Sequence, residues 1–309
     1  MSKDDVFSTF DPILAATPAT DPWVHAVGER PVYAPDFDLL GQLLTLPVIT
    51  GSASESGRFA KGIDAWLAHE FRRAGFGADE VWPRPTRPRV LPRDIAVLLE
   101  RLPAKVADDL RSRVARMPSV GPNDARVLGR AYDKQVDVCI ARWDRGPELL
   151  LSTKAQVSSF AKNLPNRFEE AYGDAANLRG RYPLAATGFL FLQRDTILRD
   201  EPDAFERTVD MIRKLRDTGG HGGYTATALC LVGWDETADG GPVVRVNLDP
   251  IPEDIAPAQL MDALIGQILA ATPVVHHVPV RESRERRQIP LPEPQGSTDD
   301  LEQPDGTLL

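Results

Sequence analysis

Cysteine, methionine and histidine are scarce in this chain: two, four and five residues among 309. The two cysteines, Cys139 and Cys230, each fall inside a segment that reads as a buried strand. They are expected to be reduced core thiols, the state maintained in the cytoplasm. No Cys/His set has the spacing of a zinc site, and His276-His277 is an isolated pair. No run approaches the roughly 18 uncharged apolar residues of a membrane helix. The opening MSKDDVFSTFDP lacks the basic-then-apolar order of a secretory signal. There is no internal repeat, so a solenoid or array is not expected.

What is present is ordinary for a soluble globular protein: 42% hydrophobic and 26% charged residues, enough for one large domain or two small ones. The formal net charge of -9 argues against a general nucleic-acid coat protein. The charge is uneven, however. Between positions 71 and 117 eleven Arg/Lys face six Asp/Glu, an excess of five positive charges in an acidic chain.

Residues 1–55 are rich in Pro, Asp, Ser and Thr and read as an irregular arm, with one apolar stretch at 39–49. Ser54 or Ser56 is placed to cap a helix over 57–74, whose Phe59, Ile63, Trp66 and Leu67 recur at helical spacing. Glu70 falls about 20° from Phe59 at about 100° per residue, inside that apolar stripe. An inward carboxylate needs a cation, a proton or an arginine. A short strand follows Gly75-Phe76-Gly77, then basic helices at 94–102 and 104–117 and a third helix at 124–131. Beyond the central hairpin come a helix with Pro165 in its first turn, a strand at 184–194, a helix at 202–217 and a strand at 224–234. A paired strand at 242–248 and a helix at 257–271 close the order. The expected fold is α/β, a mixed central sheet flanked by helices. The domain at 56–280 contains a basic helical insertion at about 84–131, and a disordered tail covers 281–309.

The hairpin at 136–156, VDVCIARWDRGPELLLSTKAQ, is the informative stretch. Asp137 opens its first strand and Lys154 ends its second, seventeen residues later. Alternation puts Ser152, Lys154 and Gln156 on one face and Leu151, Thr153 and Ala155 on the other. A row of polar groups ending an apolar strand needs a partner, and a metal-assisted site is one.

This order of elements resembles the PD-(D/E)XK, or restriction-endonuclease-like, nuclease superfamily over about residues 56–235. The matching features are a helix with inward Glu70, a strand opening with Asp137, a strand ending Ser152-Thr153-Lys154, a helix, and a buried strand. The resemblance implies a Mg²⁺-dependent DNA endonuclease, with Mn²⁺ as possible substitute, of restriction or phage-defence type. It implies metal ligands Asp137, Glu169 and Glu70, and Lys154 as the water-orienting group. Hard oxygen ligands suit Mg²⁺, which neutralises charge on the phosphoryl group. Ser152 departs from the family's acid at that position. One branch with Ser-x-Lys takes a glutamate from the following helix, which points to Glu169 or, in its place, Glu170. Lys162, Asn163, Arg167, Arg179 and Arg181 are then candidate DNA-phosphate contacts, and Gln156 could hold the water or a base edge. The basic 71–117 region would approach the DNA. Partners expected on this footing are DNA, a second copy of the chain, and a cognate methyltransferase or defence protein, without a membrane.

A Ser/Lys hydrolase built on Ser152 and Lys154 is the rival enzyme class. The two side chains would project about 7 Å apart along a strand, and no glycine-rich elbow flanks the serine. The GGHGG at 219–223 follows a helix and precedes a strand, the reverse of a nucleotide-binding loop. A nuclease-fold subunit that binds DNA without cutting remains the alternative to the endonuclease.

Overall fold

The computed structural model describes residues 5–26, 29–51, 57–216, 222–236, 239 and 241–290. The capping serines 54 and 56, positions 219–221 of the glycine-rich stretch and the tail at 291–309 lie outside the described residues.

The N-terminal part carries more regular structure than an irregular arm. A 3-10 turn at Val6–Thr9 leads into α1 (Asp11–Ala16), a hairpin of β1 (Trp23–Val24) and β2 (Val32–Tyr33), and α2 (Phe37–Ile49). Helix α2 is nucleated by the Asp36 carboxylate, which accepts from the Leu39 N–H at 2.8 Å. It buries Leu39, Leu40, Leu43 and Leu44 against α3 (Arg58–Arg73). Helix α3 is therefore covered on almost every side and ends at Gly75, whose φ of 106° suits glycine.

Then follow β3 (Val81–Trp82), α4 (Arg93–Arg101) and α5 (Ala104–Val114). The helix expected at 124–131 is instead β4 (Ala125–Leu128), paired antiparallel with β5 (Asp133–Val136). Its hold is non-local: Asn177 Oδ1 accepts from the Ala131 and Tyr132 N–H groups, and Asn177 Nδ2 donates to the Tyr132 carbonyl. The central hairpin is β6 (Val138–Arg142) and β7 (Gly146–Gln156). Helix α6 (Phe160–Arg179) starts earlier than expected, so Pro165 sits inside it and not in its first turn. Both carboxylate oxygens of Glu201 accept from its leading N–H groups, Phe160 at 3.0 Å and Ala161 at 2.7 Å. The chain continues as β8 (Ala186–Arg194), α7 (Ile197–Asp200), α8 (Pro202–Lys214), β9 (Ala226–Gly233), β10 (Arg245–Asn247), α9 (Pro257–Ala271) and α10 (Val278–Glu285). The part of α10 from 281 to 285 falls in positions expected to belong to a disordered tail.

Six strands form one mixed sheet in the order β10-β9-β8-β7-β6-β3. Strands β7, β8 and β9 are parallel, and the other three add antiparallel at the two edges. Residues alternate between two cores. Leu149, Leu151, Leu190 and Leu192 pack with α2, α3 and α9, while Phe189, Phe191, Leu229 and Leu231 pack with α6 and α8. Helices on both faces of a mixed sheet are the architecture expected from the sequence. Among the described residues no helix is long and apolar enough to cross a membrane.

Candidate active site

Strand β6 pairs with β7 only as far as Val138 opposite Leu151. Beyond that point β7 keeps β8 on one side, while its other edge is taken by Asp137, the residue between β5 and β6. The Asp137 N–H donates to the Leu151 carbonyl at 3.1 Å. Its Oδ2 accepts from the Thr153 N–H at 2.9 Å, replacing a missing strand partner. Thr153 points to the α3 side, where its hydroxyl donates to Asp64 Oδ1 at 2.6 Å. Asp64 Oδ2 lies 3.2 Å from Lys61 Nζ, one turn earlier on α3. Lys61 Nζ also lies 2.9 Å from Asp124 Oδ1, just before β4. Two carboxylates from distant segments thus converge on Thr153.

The electrostatics of this cluster are those of an under-neutralised site. Burial, followed by the charge of Asp64, pushes Asp137 up to about 7. Burial raises Asp64 as well, against the opposing pull of Lys61 and the Thr153 hydroxyl. Burial works against the charge on Lys61, yet Asp64, Asp124 and Asp137 hold it firmly protonated. One internal lysine does not offset the desolvation of two buried carboxylates.

On the opposite face of β7, Lys154 Nζ donates to Glu170 Oε1 of α6 at 2.8 Å. Lys134 Nζ approaches the same oxygen at 3.9 Å, and Arg167 lies 3.6 Å from Glu170 Oε2. Asp174, one turn further along α6, pairs with Lys134 and accepts from the Tyr132 hydroxyl at 3.1 Å. Ser152 Oγ and Tyr224 Oη are buried in this region, where the serine hydroxyl acts on the tyrosine. The negative charges of Asp174, Asp137 and Glu170 all act on Tyr224, behind the larger effect of burial.

The residues expected at the site divide clearly. Asp137 and Lys154 stand together at the open end of β7. Glu70 belongs elsewhere: Arg73 donates to both its oxygens at 2.8 Å, the Tyr33 hydroxyl donates at 2.9 Å, and the Asp36 N–H at 3.2 Å. It lies six residues beyond Asp64, about 9 Å along the helix axis. Asp64 is the acid that α3 brings to Thr153. It sits about 140° from Phe59 around the helix, outside the apolar stripe, so helical periodicity alone does not mark it as buried. Glu169 and Glu170 are both exposed, and Glu170 is the α6 acid that reaches Lys154. Gln156 is buried and spent on structure: it donates to the Ser159 and Phe160 carbonyls and accepts from Gln193. It is not available for water or a base edge.

Lys162 and Asn163 are exposed on the first turn of α6. Arg179 donates to the Gly223 carbonyl at 2.9 Å, and Arg181 stacks over Tyr182 at 5.8 Å. The basic 71–117 region is largely neutralised by acids of its own and of the N-terminal segment. Arg89, 1% exposed, pairs with Asp5 and Asp11; Arg84 pairs with Asp79, Arg111 with Asp108 and Arg113 with Asp109.

Among the described residues no three His, Cys, Asp or Glu side chains gather into a metal-binding group, so the triad of Asp137, Glu169 and Glu70 is not assembled. The minimum donor set for Mg²⁺ is smaller, one or two carboxylates completed by water and substrate phosphate. Asp137 and Asp64 fit that set. Both are hard oxygen donors: Asp137 is half-buried at the open strand edge, and Asp64 is fully buried on α3 and paired with Lys61.

Comparison with protein-family models, with curated proteins and with solved structures returned no match.

Proposed function

We propose that this chain is a Mg²⁺-dependent DNA endonuclease of restriction or phage-defence type, acting at the open end of β7. The observation that carries this reading is the convergence there of Asp137, a second buried carboxylate from α3, and a lysine two residues from the hydroxyl of Ser152. Asp137 and Asp64 would hold the divalent ion, with Mn²⁺ as substitute. When bound, the ion neutralises charge on the phosphoryl oxygens and makes water a better nucleophile. Thr153 fixes both carboxylates, its N–H on one and its hydroxyl on the other. Lys154 contributes a positive charge and proton donors to the side of the phosphate facing α6. Cutting both strands calls for two copies of this site, so a homodimer belongs to the proposal, as do a cytoplasmic location and a cognate methyltransferase or defence partner.

One observation favours a DNA-binding subunit that does not cut. All three lysines of the region already sit in ion pairs, Lys61 with Asp64 and Asp124, Lys154 with Glu170, and Lys134 with Asp174. Incubating plasmid and phage DNA with the protein and Mg²⁺ or Mn²⁺ separates the two readings. The expected result is metal-dependent nicking or linearisation by the wild type that Lys154→Ala abolishes. Retardation of DNA without cleavage by either protein would establish the binding subunit instead.

A further inference from the structure

Glu170 is out of keeping with its surroundings. Its side chain is 41% exposed, yet three cations from three separate segments converge on it: Lys154 from the end of β7, Lys134 from β5, and Arg167 from the preceding turn of α6. A solvent-facing glutamate on a helix needs no such set, since one neighbour at helical spacing would do. Burial is the largest single influence and opposes its charge, yet the bond from Lys154 together with the charges of Lys154, Lys134 and Arg167 holds its carboxyl below the usual range. Lys134 is shared with Asp174, which is 5% exposed and also bound by Tyr132. Lys134 is therefore fixed in place from behind by Asp174, while the carboxylate between the three cations faces solvent.

We propose that Lys154, Lys134 and Arg167 form a phosphate site for the nucleic-acid backbone, and that the Glu170 carboxylate occupies it in the free protein as a built-in competitor. A phosphodiester presents what a carboxylate presents here, a single negative charge spread over two oxygens within reach of lysine and arginine donors. With Glu170 in place the three cations meet two carboxylates, Glu170 and Asp174. With it displaced or neutralised the balance becomes three to one, and the site turns attractive to an anion. Glu170 is then a gate on Lys154 and not a metal ligand. The proposal rests on the reading of Lys154 as a phosphate-contacting group, but it makes its own claim about binding without any metal.

The test is binding in EDTA, where cleavage plays no part. Titrations of wild type, Glu170→Gln, Glu170→Ala and Glu170→Gln/Lys134→Met would use inorganic phosphate and, separately, a fluorescein-labelled 12-base-pair duplex. Circular dichroism would check the fold of each variant. Removing one like charge from the site is expected to tighten binding of both probes about tenfold in both single variants. Adding Lys134→Met should cancel the gain. Folded single variants that bind the duplex no better than wild type would overturn the proposal, and so would a gain that survives Lys134→Met. A gain for phosphate alone would overturn the nucleic-acid assignment. If the gain appears but no protein cuts DNA with Mg²⁺, the phosphate site stands and the endonuclease reading fails; the reverse pattern separates them the other way.

Discussion

Asp137 sits where a strand partner should be, and its chemistry follows from that position. The carboxylate is needed to satisfy the Thr153 N–H, yet it lies in a partly buried edge beside Asp64, so its proton is held to about pH 7 against an ordinary value of 3.8. A carboxyl raised in the folded state favours folding at low pH. That contribution is complete below about pH 4 and is lost as pH rises toward 7, with a ceiling of about 4 kcal/mol from about three pKa units. Asp137→Asn keeps the accepting oxygen and removes the charge. Its melting temperature relative to wild type is expected to rise between pH 4.5 and about pH 7 and to level off above that, becoming stabilising at the upper end. A difference that stays flat across this range would mean that Asp137 titrates as an ordinary carboxylate. A divalent ion reverses the preference by favouring the ionised form, so Mg²⁺ should stabilise the wild type more at pH 8 than at pH 5.

At the scale of elements, the hairpin of β4 and β5 controls the site from outside the main sheet. It delivers Asp124 to Lys61 at one end and Lys134 to Asp174 and Glu170 at the other. Asn177 of α6 pins its turn with three hydrogen bonds. Asn177→Ala leaves those backbone groups unpaired, with an expected cost of about 2–3 kcal/mol. Amide exchange should quicken at Ala131 and Tyr132 while β8 and β9 remain protected. Unchanged exchange at those two amides would show that the hairpin is held by other contacts. This hairpin was illegible in the sequence for a physical reason. Its strands are four residues each, too short for alternation to show, and the asparagine that fixes them lies more than forty residues away. The early start of α6 has the same origin, since its leading N–H groups are capped by Glu201, about forty residues downstream. By contrast β7, β8, α3 and α9 carry their own apolar periodicity and were readable directly.

For the whole molecule, the α/β architecture followed from the order of apolar strands and amphipathic helices. The site followed only in part. Asp137 and Lys154 were legible because both are polar residues at the ends of apolar strands. Glu70 was misplaced because α3 is buried on nearly every side: α2, expected as part of an irregular arm, covers the face that would otherwise be open. Within such a helix, position in an apolar stripe says that a carboxylate is buried, not what it meets. Glu70 meets Arg73, Tyr33 and the Asp36 N–H, whereas Asp64 meets Thr153. The two acids therefore make the sharpest comparison. Initial rates of Mg²⁺-dependent DNA cleavage in Asp64→Asn and Glu70→Gln, each measured under conditions where the variant is folded, decide the matter. Asp64→Asn is expected to lower the rate by about 100-fold or more, the scale of losing a group that holds the ion or the charge at the reacting centre. Glu70→Gln should leave it within a few-fold of wild type. Loss of cleavage in Glu70→Gln with full activity in Asp64→Asn, or no Mg²⁺-dependent cleavage by the wild type, would contradict the site described.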